Sequence, residues 1–362
     1  MARITLQTVA DAVGVSRMTV SNAFSRPDQL SPELRERILA SAAELGYVGP
    51  DPAARALARG STGVVGIVLT SDVGTAFSDE VSTQFLGAIA QGLAGSGLSL
   101  TLLSTQEAAG HVPARDVPMD ATVVFHCDPR SPAIDWLQRR RLPLVYVDQD
   151  PAPGVPTINV DDRGGARSAA EHLVQLGHRR IGIVTASVIG PHGLQPPGAA
   201  DVQPHVTSQR MLGWRDALTP AGIEPVVVRE SRVTQGQGYE ALGMLLGVDP
   251  GITGVLCFAD TLAHGVMLAA QDRGLELPRD LSVVGFDDSP LAARLRPPLT
   301  TVRQDIAEKG RLASAALVRA AQRKATPAQG RDAAPAAVTT APHVVLPTEL
   351  VVRASTAPPR SV

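Results

Sequence analysis

Cysteine is nearly absent from this 362-residue chain: Cys127 and Cys257 stand far apart and without metal-ligand spacing. Neither a disulfide framework nor a cysteine-built metal centre is expected, and both thiols read as reduced and unlinked. No run of apolar residues approaches the ~18 needed to span a membrane. The opening Met1-Ala2-Arg3-Ile4-Thr5-Leu6 lacks the apolar core of a signal peptide, so a cytoplasmic protein with no membrane partner is expected. The loops that carry common chemistry are also missing. There is no Gly-x-Ser-x-Gly elbow, no Gly-x-Gly-x-x-Gly dinucleotide loop and no Walker A loop, so an enzyme is not expected, nor is a cofactor or metal. Charge of one sign is lacking too, the net being −2, whereas 44% hydrophobic residues over this length suffice for more than one buried core.

What is present is concentrated at the start. Leu6, Val9, Ala10 and Val13 fall on one face of a helix, and Gly14 permits the turn that ends it. Ser16 is placed to cap a second helix, with Thr19, Val20 and Ala23 turned towards the first. The opposite face presents Arg17, Met18, Ser21 and Asn22. Two short helices joined by a glycine turn form a helix-turn-helix, whose second helix enters the major groove. Arg17 is expected on guanine and Asn22 on adenine. A third helix follows, capped by Ser31, opened by Pro32 and buried along Leu34, Ile38, Leu39, Ala42 and Leu45 until Gly46. The segment from Pro52 to Gly60 is a short alanine-rich helix with Arg55 and Arg59 on one face and Leu57 across from them. Alone it is marginal, so it is expected to fray without DNA and to wedge Leu57 into a minor groove with DNA. Seven basic residues (Arg3, Arg17, Arg26, Arg35, Arg37, Arg55, Arg59) meet six acidic ones (Asp11, Asp28, Glu33, Glu36, Glu44, Asp51) in the head. The net of +1 leaves affinity to local arginine placement, base contacts and dimerisation.

From Val64 the chain alternates apolar, strand-length runs with helical stretches, twice over, up to residue 285. This rhythm predicts α/β lobes with doubly wound sheets and a cleft between them. Residues 186–207 and 326–343 read as irregular surface loops. Ligands in such sheets bind beyond the carboxyl ends of the strands, where Asp79, His126, Asp148, Asp260 and Asp287 fall.

Thr5-Leu6 with Val9-Ala10, Gly14-Val15-Ser16, Thr19-Val20-Ser21, Ser31, Leu45-Gly46-Tyr47 and Ala56-Leu57 resemble the lac-repressor (LacI/GalR) family. Further landmarks continue the resemblance in order: Gly177-His178-Arg179-Arg180-Ile181, Arg210-Met211-Leu212-Gly213-Trp214, Val283-Val284-Gly285-Phe286-Asp287-Asp288, Pro298-Leu299-Thr300-Thr301-Val302 and Val345-Leu346-Pro347-Thr348-Glu349-Leu350. It implies an all-α helix-turn-helix DNA-binding head (1–49), a hinge helix or linker (50–61) and an α/β periplasmic-binding-protein-like core (62–362). The core would consist of lobe 1 (62–155 and 296–323) and lobe 2 (156–290 and 324–356), with crossings near 150–156, 288–301 and 323. The function implied is a sequence-specific, effector-controlled transcriptional regulator, with repression the leading reading. Its partners would be a pseudo-palindromic double-stranded DNA operator, a small polar effector such as a sugar, and a second copy of the chain. No leucine heptad follows Leu350, so a dimer is expected rather than a coiled-coil tetramer.

DNA contact is expected at Thr5, Ser16, Arg17, Met18, Ser21, Asn22, Arg55, Leu57 and Arg59. Effector contact is expected at Asp79, His126, Asp148, Arg210, Asp260 and Asp287. Three departures matter: Asn22 and Ala259 stand where the lac repressor has an arginine and an asparagine, and Val233 stands where purine-binding relatives place an aromatic. A galactoside or purine effector therefore does not transfer. The rival class is an enzyme or transport carrier on the same two-lobed fold, which would leave residues 1–60 unexplained.

Overall fold

Thr5 caps α1 (Leu6–Val13), its hydroxyl accepting from the Thr8 amide, and Gly14 closes the helix at φ +76°. The computed structural model describes residues 4–69, 73–105, 110–125, 128, 130–197, 203–325 and 342–360. Two compact units divide the chain, residues 1–63 and 64–362. In the first, Ser16 caps α2 (Arg17–Ser25) and a 3₁₀ turn follows. Ser31 then caps α3 (Pro32–Glu44). Val9, Ala10, Val20, Ala23, Ile38 and Ala42 form a core whose exposure is at most 2%. Phe24 meets Tyr47 edge to face, centroids 5.7 Å apart, closing one side of that core. Residues Pro52–Arg59 form α4, with both ends capped: the Asp51 carboxylate accepts from the Ala53 and Ala54 amides, and Gly60 ends the helix at φ +68°.

The second unit begins with β1 (Val64–Leu69), α5 (Val73–Ser78), α6 (Glu80–Leu93), β2 (Ser99–Ser104), α7 (Pro113–Asp116), β3 (Ala121–Phe125), α8 (Pro132–Arg139), β4 (Leu144–Val147) and β5 (Thr157–Val160). The chain continues through α9 (Asp162–Leu176), β6 (Ile181–Ala186), β7 (Gly193–Leu194), α10 (His205–Leu218), β8 (Val226–Glu230), α11 (Gln235–Val248), β9 (Gly254–Cys257), α12 (Asp260–Asp272) and β10 (Ser282–Asp287). It ends with α13 (Pro290–Arg294), β11 (Thr300–Gln304), α14 (Ile306–Ala325), β12 (His343–Leu346) and β13 (Thr348–Val351). One sheet is wholly parallel, in the order β12-β5-β4-β3-β1-β2. The other runs β13-β11-β10-β9-β6-β8-β7, with antiparallel strands only at its two edges. Helices on both faces bury these apolar strands, as parallel sheets require.

The pairing corrects the expected crossings. Thr157, Ile158, Asn159 and Val160 are all buried beside β4, so residues 156–160 belong to the first lobe and the chain leaves it at 161. β11 pairs with β10, which gives residues 300–304 to the second lobe and puts the return at 305. β12 extends the first sheet and β13 the second, so the last crossing is Pro347 and not residue 323. The segment 186–207 is not wholly irregular, since β7 adds an edge strand to β8. Residues 198–202 and 326–341 lie outside the described residues.

α9 and α10 pack through Gly213, and this contact seats the residues described next. A Cβ on Gly213 would penetrate the Arg163 carbonyl oxygen and press on the Ala166 side chain. Gly213→Ala is therefore expected to destabilise the second unit by about 1–3 kcal/mol, the usual cost of overpacking. Thermal unfolding measures this, and a variant melting with the parent would mean that the two helices separate freely.

Candidate nucleic-acid interface and ligand cleft

The outward face of α2 is built by exclusion. Val20 and Ala23 are drawn into the core, so Arg17 and Met18 project, Met18 with 73% of its surface exposed. Ser21 and Asn22 are half-buried on the same side, and the Asn22 amide donates to Gln29 Oε1 at 3.2 Å. Thr5 and Ser16 lie exposed at the two helix starts with their hydroxyls engaged as caps; Ser16 Oγ accepts from the Thr19 amide at 3.0 Å. In α4, Leu57 is 87% exposed, and Arg59 lies exposed in the last turn. Arg55 is half-buried.

The cleft between the two sheets has a volume of about 440 Å³. Its polar lining stands at the carboxyl ends of strands, as in open α/β sheets generally. Asp148 directly follows β4, Asp287 ends β10 and Gln304 ends β11. Asp148 and Asp287 hold left-handed backbone, φ +56° and +110°, which turns their carboxylates into the cleft at a local cost in strain. Asp79 caps α6 through the Ser82 amide, 2.8 Å away, and faces the same space. Ala259 and Val233 line it as well.

Arg210 is the centre of this arrangement. Its guanidinium lies over the rings of Phe286 and Phe258, 3.5 and 4.5 Å from their centroids. Nε donates to Asp162 Oδ1 at 2.8 Å, Nη1 donates to the Phe258 carbonyl, and Nη2 stands 3.5 Å from Asp287 Oδ1. Five N–H donors exceed these partners, so the group retains donors for the cleft it lines. Burial pushes the carboxyls of Asp287 and Asp162 upward, while Arg210 pulls both back towards the ionised form. Gln304 Nε2 donates to Asp287 Oδ1 at 2.6 Å. Lys309, on α14, donates to both Asp148 oxygens at 2.9 Å and to Gln304 Oε1 at 2.8 Å.

Of the residues expected in the cleft, Asp79, Asp148, Arg210 and Asp287 come together there. Asp260 does not. It is 1% exposed and turned inward, accepting from Thr301 Oγ1 at 2.5 Å and from the Ser289 amide at 2.8 Å, because it begins α12 beneath the lining residue Ala259. His126 lies outside the described residues. Asp162, Gln304 and Lys309 were missed by the sequence reading. A signal for one of them exists: lysine occurs only at Lys309 and Lys324. The described residues hold no cluster able to bind a metal and no helix long and apolar enough to cross a membrane.

Residues 5–49 match the profile of bacterial regulatory proteins of the lacI family, and residues 170–356 match the periplasmic binding protein-like domain. An HTH-type transcriptional regulator of Mycolicibacterium smegmatis is 39% identical, over 86% of this chain and 89% of its own length. The lac repressor dimer bound to operator and the anti-inducer ONPF superposes with a TM-score of 0.75 at 25% identity, covering 98% of this chain and 100% of that one. The CelR–cellobiose complex gives 0.66 at 26% identity, covering 98% and 100%.

Burial pushes the Asp260 carboxyl up to about 7 from 3.8. A carboxyl raised on folding contributes stability below its unfolded value, and that contribution is lost as pH rises through the folded one. The parent should therefore lose stability relative to Asp260→Asn between about pH 4 and pH 7. Melting both proteins across this range gives a difference that must change with pH; a constant offset would show that Asp260 stays ionised.

Proposed function

The chain belongs to the lacI family of bacterial regulatory proteins and is a DNA-binding transcriptional regulator, not an enzyme; from that premise we propose that it is a homodimeric repressor controlled by a neutral, hydroxyl-rich effector of the sugar class. The observation that carries the effector reading is the cleft, which offers carboxylate acceptors at Asp79, Asp148 and Asp287 beside the donors of Arg210. Hydroxyls both donate and accept, so a polyol satisfies such a lining without leaving either kind of group unpaired. The charges nearly cancel. Asp79, Asp148, Asp162 and Asp287 face Arg210, Arg232 and Lys309, four against three, and burial draws Asp287 towards its neutral form. A phosphate or a polycation finds no field to attract it. The complex of the similar CelR with cellobiose supports the same class.

On the DNA side, the lac repressor dimer bound to operator supports two heads on a pseudo-palindrome, and a DNA target supports a cytoplasmic location. The exposed Arg17 and Met18, with Ser21 and Asn22 beside them, read bases in this proposal, and Thr5 and Ser16 approach the backbone. Leu57 wedges into the minor groove while Arg55 and Arg59 reach phosphate. Effector binding biases whether the α4 helices of two protomers pair on DNA, with leverage limited to its differential affinity for the cleft states, typically ~1–3 kcal/mol.

Two measurements test these halves separately. A neutral sugar at 100 times its dissociation constant should stabilise the parent by ~2.7 kcal/mol. Val233→Trp, which puts an indole into the cleft, should cancel that shift while the protein still folds; a sugar response that survives it would move the ligand elsewhere. In operator binding, Arg17→Ala should cost about 1–3 kcal/mol and relax preference at one position per half-site. An equal loss on every sequence would reduce Arg17 to a phosphate contact.

A further inference from the structure

Behind the cleft lining sits a cation that does not itself line the cleft. Lys309 is 2% exposed on α14 and is absent from the cleft wall, although both residues it holds, Asp148 and Gln304, belong to that wall. Its three N–H donors match three acceptors, the two Asp148 oxygens and Gln304 Oε1, at 2.8–2.9 Å. The ammonium is complete and has no donor to offer elsewhere. Lys309 and Lys324 are the only lysines among 33 basic residues other than histidine, so this buried point charge stands out in a chain that otherwise uses arginine. The site accounts for the choice. A guanidinium would bring five donors in a rigid plane to a place with three acceptors around one nitrogen, and its surplus donors would be buried unpaired.

Two consequences reach the ligand. Asp148 enters the cleft already compensated, with lone pairs for hydroxyl donors but no charge left to neutralise. Gln304, its oxygen held by Lys309, must aim its amide nitrogen at Asp287. We propose that Lys309 is a specificity-determining residue: by compensating Asp148 from behind, it selects neutral hydroxyl groups at that carboxylate and rejects ligands that place an ammonium there. This rests on the reading of the cleft as the effector site. A ligand ammonium at Asp148 would lie beside the Lys309 ammonium with one carboxylate between two cations, and like charges so close in a buried site repel strongly.

The test uses the full-length protein and two kinds of probe. In the first, parent and Lys309→Ala are melted in methylammonium chloride and in equal sodium chloride. The truncated lysine leaves room beside Asp148, so methylammonium should raise the melting temperature of Lys309→Ala by several degrees more than sodium does. The parent and Lys309→Ala/Asp148→Asn should respond alike to both salts. Equal responses in Lys309→Ala would overturn the proposal. Should that variant not fold, Lys309→Met/Asp148→Asn replaces it: removal of both charges should melt above Lys309→Met alone, and a double variant no better than the single one would equally refute the pairing. In the second, the matched pairs glucose and glucosamine, galactose and galactosamine are titrated into the parent and Lys309→Met. The hydroxyl member should bind the parent about tenfold more tightly, a difference of ~1.4 kcal/mol, and the order should invert in Lys309→Met. An amino sugar that binds the parent as well as its neutral partner would also overturn the proposal. A parent that binds no sugar while methylammonium still rescues Lys309→Ala would count against the sugar reading and uphold the compensation of Asp148.

Discussion

One guanidinium for two buried carboxylates is the constraint on which the second unit depends. Arg210 is held between the rings of Phe258 and Phe286, and only there do its edges meet Asp162 and Asp287 together. Either carboxylate alone at such depth would carry a desolvation cost of several kcal/mol, and removing one partner of a buried pair typically costs about 3–5 kcal/mol. The geometry therefore binds α9, α10 and the end of β10 into one piece. Gly213 is part of the same constraint, because α10 must lie directly on the backbone of α9 for Arg210 to reach Asp162.

The first lobe repeats this solution with a different cation. Lys309 compensates Asp148 as Arg210 compensates Asp162 and Asp287, and Gln304 links the two arrangements by accepting from one and donating to the other. Gln304 stands one residue before the crossing at 305. The polar network thus forms part of the cleft lining, beside small residues such as Ser82, Ala186 and Ala259 that leave room for a ligand. A binding site built this way keeps its charges paired with or without a ligand, and reads the ligand by hydrogen bonds.

The DNA-binding head follows other rules. Its net charge of +1 supplies little attraction for DNA, so its contribution lies in shape and in a few side chains. Caps at Thr5, Ser16, Ser31 and Asp51 determine where four helices begin, and those starts determine which residues face outward. Leu57 stands exposed on the helix that Asp51 begins.

The sequence by itself determined the head almost to the residue, as well as the alternation of strands and helices up to residue 285. These signals are local: a helix closes its hydrogen bonds within four residues, and a cap or a glycine turn acts within three. It did not determine which sheet a short strand joins. Thr157-Ile158-Asn159-Val160 pairs with β4 nearby and with β12 far along the chain, and that pairing places the first crossing at 161. Asp260 and Asp148 both follow strands, yet one is sealed under Ala259 and the other opens to the cleft through a left-handed backbone that nothing in the sequence marks. The pairings within the site were decided by tertiary structure. Arg210 meets Asp162 across 48 residues and Lys309 meets Asp148 across 161, because parallel strands bring their carboxyl ends to one edge whatever their order in the chain.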